Sequence, residues 1–261
     1  MRIAVSVEYF GKNYSGWQKQ IEVNTIQGEI EAAMHKLSQQ KICLYAAGRT
    51  DAGVHALGQI IHFDTNINRP MNSWVKGLNA HLPESIRIKW AKKVSDDFHA
   101  RYSANSREYQ YLLLSQPIVS ALWVNRCGWT FYKLDYALLK TATIKFQGKH
   151  DFNAFRSSEC QAKSSIRTIS EASVKQYNNF FVFKFVANGF LHHQIRNMIG
   201  TIIKVGQGGM NVEYIDDLIY KNDRHLVPAT FSPNGLYLAN IKYDKSWQLP
   251  IEQNNLNIFE Q

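Results

Sequence analysis

Arg2-Ile3-Ala4-Val5-Ser6-Val7-Glu8-Tyr9-Phe10 alternates apolar and more polar residues with a period of two, which predicts a strand. Downstream, Asn24 offers an N-cap with Gln27 three residues on, as in a capping box, and Ile26, Ile30, Ala33, Met34 and Leu37 follow at helical spacing. A short apolar strand over 42–47, a Gly-containing loop over 48–53 and a second strand over 59–64 come next. Pro70 suits an early helix position, and Met71, Trp74, Val75 and Leu78 supply one apolar face. Residues 86–94 read as a strand, so the order is βαββαβ.

The same order recurs. Residues 107–114 read as a strand, and Leu134, Ala137, Leu138, Thr141 and Ile144 sit at helical spacing. Strands over 166–174 and 180–187 flank Tyr177-Asn178-Asn179. Leu191, Ile195, Met198, Ile199, Ile202 and Val205 form a helical stripe ended by Gly206-Gln207-Gly208-Gly209. A short helix over 212–220 and a strand over 235–243 close the pattern. The expected class is α+β, with two ferredoxin-like halves of mainly antiparallel sheet, helices on one side. The expected extents are 1–104 and 105–246, with the boundary near 103–106 and a polar peripheral tail over 247–261.

Of 261 residues, 45% are hydrophobic and 20% charged, which excludes wholesale disorder. Apolar runs such as Phe180-Phe181-Val182-Phe183 are too short to span a bilayer. The chain goes straight into strand alternation with no signal-peptide pattern. Cys43, Cys127 and Cys160 are odd in number and widely spaced, which fits a reducing compartment, so a cytoplasmic location is expected. Lys and Arg total 30 against 21 for Asp and Glu, a net +9 that suits a polyanionic partner and equally a basic but inert surface.

Two segments carry chemistry. Ala47-Gly48-Arg49-Thr50-Asp51-Ala52-Gly53-Val54-His55-Ala56 places an arginine, an aspartate and a histidine among glycines between strands. A lone carboxylate there suits a nucleophile or base, and a neighbouring arginine favours its ionised form; an ordinary Asp turn is the alternative. Asn188-Gly189-Phe190-Leu191-His192-His193-Gln194-Ile195-Arg196-Asn197-Met198 opens the second half's main helix, with His192 and Arg196 on one face. An arginine beside an apolar stripe is either solvated or matched to an anion. No further ligand constellation joins the two histidines, so no metal is expected. Tyr109 and Tyr111 share one strand face, as core or as a platform for a base. Gly206–Gly209 lacks a phosphate-loop spacing, and Asp96, Asp97 and Asp151 are candidate partners for a glycosidase-like acid pair, with nothing in the sequence singling one out for Asp51.

From Tyr9 to Tyr243 the chain resembles the tRNA pseudouridine synthase A family, which modifies uridines 38 to 40 of the anticodon arm. Gly48 to Ala56 matches the family's catalytic loop without interruption. Tyr14-Ser15-Gly16-Trp17-Gln18 resembles its early Gly-Trp-Gln segment, and Arg107-Glu108-Tyr109-Gln110-Tyr111 its tyrosine strand. His150-Asp151-Phe152 through Phe155-Arg156, Phe190-Leu191 through Arg196-Asn197, and Gly235-Leu236-Tyr237-Leu238 match later blocks. One departure is Gln194, where the family pattern has methionine. The resemblance implies a two-lobed body with an RNA cleft, usually a homodimer, and a bacterial source. It implies that Asp51 is the catalytic carboxylate, that Arg196 is its buried partner and that Arg49 handles the flipped nucleotide. It also implies that Tyr109, His55 and Leu236 line the base site. Lys12, Lys19, Arg101 and Arg156 are candidate RNA-groove cations. The partner is tRNA, with no membrane, no metal, and no ATP or redox cofactor, because isomerisation conserves atoms. A catalytically silent tRNA binder and a metal-dependent nuclease are the competing readings.

Overall fold

The computed structural model describes residues 1–252 and 254–256. Along the chain lie β1 (Arg2–Tyr9), α1 (Ile26–Ser38), β2 (Tyr45–Ala46), β3 (His55–Asp64), α2 (Met71–His81), β4 (Ile86–Val94) and β5 (Ala104–Ser115). Then follow β6 (Gly128–Thr130), α3 (Tyr136–Ile144), β7 (Gly148–Asp151), β8 (Ile166–Tyr177), β9 (Phe180–Ala187), α4 (Gln194–Gly206), α5 (Tyr214–Lys221) and β10 (Leu236–Tyr243). The class is α+β. Contacts divide the chain into two compact units, Met1–Ser106 with Tyr237–Asn255, and Arg107–Leu236 with Leu256.

In the first unit β1 pairs antiparallel with both β3 and β4. The other edge of β3 is shared: β2 pairs antiparallel at Ile61 and His62, and β10 pairs parallel at His55 and Ala56. That register groups β10 with the first unit, not with the half that precedes it in sequence. Ile3, Val5, Val7, Ile61 and Phe63 make one buried face, where Phe63 meets Trp74 of α2 edge-on at 5.2 Å. The opposite face carries Ala4 and Ile60, packed with Ala47, Phe98, Ala100, Trp90, Val94, Tyr243, Trp247 and Leu249.

The expected tail is therefore not peripheral over its described part. Trp247 meets Phe98 at 5.3 Å, Glu252 accepts from Ser6 Oγ at 2.8 Å and pairs with Lys89 at 3.2 Å, and Leu256 is buried. Three apolar side chains scattered through a polar stretch produce no periodic signal, which is why the sequence reads as a tail. Residue 253 and residues 257–261 of that stretch lie outside the described residues.

The second unit orders its strands β5-β9-β8-β7, all antiparallel, with the short β6 parallel to β5. β6 and β7 are three and four residues long, too short to show a period, and both escape sequence reading. α4 is buried along most of its length and packs on α3. Gly206 lets Leu139 of α3 close on it, since a Cβ there would sit 2.4 Å from that side chain, and Gly200 lets the Ala229 carbonyl approach, at 2.5 Å from where its Cβ would be. Among the described residues no helix is long and apolar enough to cross a membrane.

Two helix starts differ from expectation. Thr25, not Asn24, caps α1, its Oγ1 accepting the Gly28 N–H at 3.2 Å. Gln27 is not part of a capping box, because its Oε1 accepts from Gln18 Nε2 and from the Lys19 amide. α4 begins at Gln194, after His193 in a left-handed conformation with φ 64°.

On the face opposite the helices, His62 Nδ1 accepts the Ala100 N–H at 3.1 Å, and its ring stacks on Tyr45 with centroids 5.0 Å apart. Burial, reinforced by His99 and Arg2, pushes its pKa from 6.5 down to about 4. The unfolded chain thus takes up a proton near pH 6.5 that the native state refuses until about pH 4. Stability is full above pH 6.5 and falls as pH drops toward 4. Urea unfolding of the wild type at pH 7 and pH 5 should show this loss, and His62→Gln should reduce the difference between the two.

Candidate active site

The segment 47–56 joins β2 to β3 in the first unit, and its shape is imposed from the N-terminal side. Trp17 N–H donates to the Thr50 carbonyl at 3.0 Å, and Gly53 N–H to the Tyr14 carbonyl at 3.4 Å. Gln59 Nε2 donates to the Gly48 carbonyl at 2.7 Å. Tyr9 Oη and Thr50 Oγ1 share a buried hydrogen bond of 2.8 Å. Burial pushes the Tyr9 phenol well above its ordinary value, so it stays neutral. Val54 N–H closes a turn onto the Asp51 carbonyl at 3.2 Å, with Gly53 at φ 78°.

Two glycines let residues 11–17 run this close. A Cβ on Gly11 would lie 1.9 Å from the Val54 oxygen. One on Gly16 would lie 2.7 Å from the Thr50 oxygen, and its φ of 87° is in any case a glycine conformation. The result is a turn fixed on both flanks that holds Asp51 half-buried and Arg49 exposed.

His55, expected at the substrate, lies beneath the turn instead. Its Nδ1 accepts the Gly11 N–H at 2.9 Å, and its ring stacks 4.7 Å from Phe10 and lies 4.7 Å from Tyr237. With 1% of its surface open, it braces the loop and offers no face to a base.

In the second unit, Tyr109 lies on β5 opposite Phe185 and meets Phe190 edge-on at 5.3 Å. It is 8% exposed, and so buried over most of its surface. Tyr111, two residues on, is core, with its hydroxyl donating to the Ser232 carbonyl at 2.8 Å. Arg196 leaves the first turn of α4, half-buried. Its Nε donates to the Phe231 carbonyl at 2.9 Å, and the Phe231 N–H returns a bond to the Arg196 carbonyl at 3.2 Å.

Next to it, Asn197 is fully buried. It donates to the Phe155 carbonyl at 2.6 Å and accepts from Thr230 Oγ1 at 2.7 Å and Arg224 Nη2 at 3.2 Å. Gln194 is buried too, and where the family pattern has methionine its Oε1 accepts the Leu191 N–H at 2.8 Å, closing the turn that leads into α4. His192 and His193 are adjacent, with ring centres 4.1 Å apart, and the His192 carbonyl accepts the Ser157 N–H at 2.9 Å. Leu236, expected at the base site, is buried at the first position of β10.

The four candidate groove cations have different surroundings. Lys12 is exposed beside Gly11, and Lys19 is tied to Glu31 at 2.8 Å. Arg101 lies 5.7 Å from the Tyr102 ring centre, and Arg156 is half-buried one residue before the Ser157 anchor. Sequence reading missed Tyr9, Gln59 and Thr230, which hold the two segments in place. Only the early Gly-Trp-Gln stretch pointed toward them.

The family model for tRNA pseudouridine synthase matches residues 5–103 and 142–244. A tRNA pseudouridine synthase A from Nitrosomonas eutropha is 49% identical over 250 residues, covering 96% of this chain and 90% of that protein. Those of Dechloromonas aromatica and Methylobacillus flagellatus are 44% and 43% identical, covering 96% and 99% of this chain and 95% and 99% of theirs. A solved Cbf5-Nop10-Gar1 complex aligns over 90% of this chain and 57% of that chain, at 12% identity and a TM-score of 0.31, a likeness too slight to bear on the fold. Over nearly its whole length the chain thus matches a single lineage, and it belongs to the tRNA pseudouridine synthase family.

Proposed function

We propose that the chain isomerises uridine to pseudouridine at positions 38, 39 and 40 in the anticodon stem-loop of tRNA, with Asp51 as the catalytic carboxylate. The observation that carries this reading is Asp51 on a turn clamped on both flanks, in a chain whose match to the family spans both units. In the reaction the N1–C1′ glycosidic bond breaks, the base turns in place, and C5 bonds to C1′. The hydrogen displaced from C5 leaves as a proton, and N1 takes one up. Composition is unchanged, so the carboxylate acts without an external oxidant, reductant or phosphoryl donor. Asp51 either attacks C1′ or removes a ribose proton, and each role calls for a carboxylate held still and partly sheltered from water.

Arg196 is the proposed counter-charge for Asp51. Its support is the bond from Nε to the Phe231 carbonyl, which holds the head, while the Phe231 N–H holds the Arg196 backbone. Tyr109 is the proposed base contact, and Arg49 the cation that holds the extruded nucleotide. Taking a uridine out of a stack costs a few kcal/mol, which aromatic contact at about 1–3 kcal/mol per base and phosphate neutralisation offset. The net charge of +9 supports recognition of RNA by its backbone.

The test is site mapping of pseudouridine in unmodified tRNA after incubation with wild type and with Asp51→Asn. Product in the anticodon arm from the wild type and a loss of at least a thousandfold in the variant are expected. Tight tRNA binding by the wild type with no product would favour a silent binder.

The chain is also proposed to work as a homodimer in the cytoplasm. Ile118 and Leu122 are 79% and 81% exposed, and Val119, Val124, Phe131 and Tyr132 are exposed around them, a run of apolar surface that a second copy would cover. Sedimentation should give a dimer for the wild type and a monomer for Leu122→Glu; a monomeric wild type at micromolar concentration would count against it.

A further inference from the structure

The turn Asn188-Gly189, which links β9 to the segment carrying His192 and Arg196, is bracketed by two arginines from neighbouring strands. On the β5 side, Arg107 pairs with Ala187, and its Nη1 donates to the Asn188 carbonyl at 3.1 Å. On the β8 side, Thr168 exchanges two bonds with Asn188: its N–H donates to Asn188 Oδ1 at 3.1 Å, and its carbonyl accepts the Asn188 N–H at 3.3 Å. Arg167, the residue before, lies against Gly189, where a Cβ would meet its Nε at 3.7 Å.

Arg167 is the unusual member. It is half-buried, and Nη1 is spent on the carbonyls of Ser164 and Ile166, at 2.9 and 2.6 Å. No carboxylate stands against it among the described residues: Asp151, on the adjacent β7, turns to Ser165, Asn153, Asn222 and Arg156. Burial lowers its pKa, the sign of a cation short of solvent. A half-buried guanidinium with a free edge, no carboxylate beside it and only the Cys160 thiol near it is a site for an anion from outside the chain. Gly189 leaves the approach open. Arg107 shares its strand face with Tyr109, two residues and about 7 Å along.

We propose that Arg107 and Arg167 form a phosphate clamp over the Asn188-Gly189 turn, holding the RNA backbone at the nucleotide whose base meets Tyr109, or at its neighbour. This rests on the tRNA reading given above. A clamp at this position fixes the target's ribose-phosphate before the base moves, while leaving base identity unread. The ligand class is a phosphodiester of RNA, and Arg167 suits it better than a lysine would, because its planar head spans two phosphate oxygens.

The experiment is tRNA binding by the full-length protein across a salt series, for wild type, Arg107→Gln, Arg167→Gln, Arg167→Lys and the Arg107/Arg167 double glutamine variant. Each lost phosphate contact should flatten the slope of log affinity against log salt by about one, and the double variant by about two. Arg167→Lys should keep the wild-type slope and lose affinity by a smaller factor. Pseudouridine formation by the wild type is scored in the same samples, so failure of the tRNA reading shows there, independently of the clamp. The alternative is that Arg167 only staples the 156–165 loop through Ser164 and Ile166. In that case Arg167→Gln weakens binding with an unchanged slope, which overturns the clamp; an unchanged slope for Arg107→Gln, whose side chain sits outside that loop, overturns it as well.

Discussion

Everything chemical in the first unit depends on the close passage of residues 11–17 against the turn 50–54. Gly11 and Gly16 permit it, since any side chain at either position would occupy a backbone oxygen of the turn. Once the two segments touch, the remaining bonds fall into place. The Thr50 carbonyl takes the Trp17 amide, the Thr50 hydroxyl meets Tyr9, and His55 takes the Gly11 amide from below. A short polar turn is by nature mobile, and a catalytic carboxylate on one would sample many poses. Here the turn's backbone is tied to Tyr14, Trp17 and the Gln59 side chain of β3, and its Thr50 hydroxyl to Tyr9 of β1, so Asp51 inherits the rigidity of the sheet.

The second unit uses a different device to the same end. Gln194 folds back onto the Leu191 amide to close the turn ahead of α4, which starts without a side-chain cap after a left-handed His193. That conformation is uncommon for a residue with a side chain and concentrates at functional sites. Immediately beyond it, Arg196 and Asn197 divide the labour. Asn197 is wholly buried and ties α4 to Phe155 and to Thr230 and Arg224, while Arg196 is oriented through Phe231. The bond from Arg196 Nε to the Phe231 carbonyl fixes one edge of its head against the 227–231 segment.

The major helices and the long strands were legible in the sequence because β1, β3, α1 and α4 each present a regular apolar period. The loop around Asp51 was legible as a motif, and only through resemblance, because Thr-Asp-Ala-Gly on its own is turn chemistry. What escaped had no local signature. β6 and β7 are shorter than a period needs. β10 joins the first unit through a parallel pairing with β3 that spans about 180 positions. The tail hides Trp247, Leu249 and Leu256 in polar surroundings, and they pack only because of where the chain returns. Only the resemblance places His55 at the substrate; its partners Phe10, Gly11 and Tyr237 are contributed by other parts of the fold.

If the clamped turn is what makes Asp51 effective, loosening the clamp without touching the carboxylate must cost catalysis and leave RNA affinity alone. Thr50→Val keeps the shape and removes the hydroxyl that meets Tyr9, leaving that buried phenol without its partner, a defect of about 1–3 kcal/mol. The measurement is single-turnover pseudouridine formation by Thr50→Val beside the tRNA dissociation constant. The account predicts a rate at least tenfold below wild type with affinity within twofold. A wild-type rate in a protein confirmed to lack the hydroxyl would contradict it.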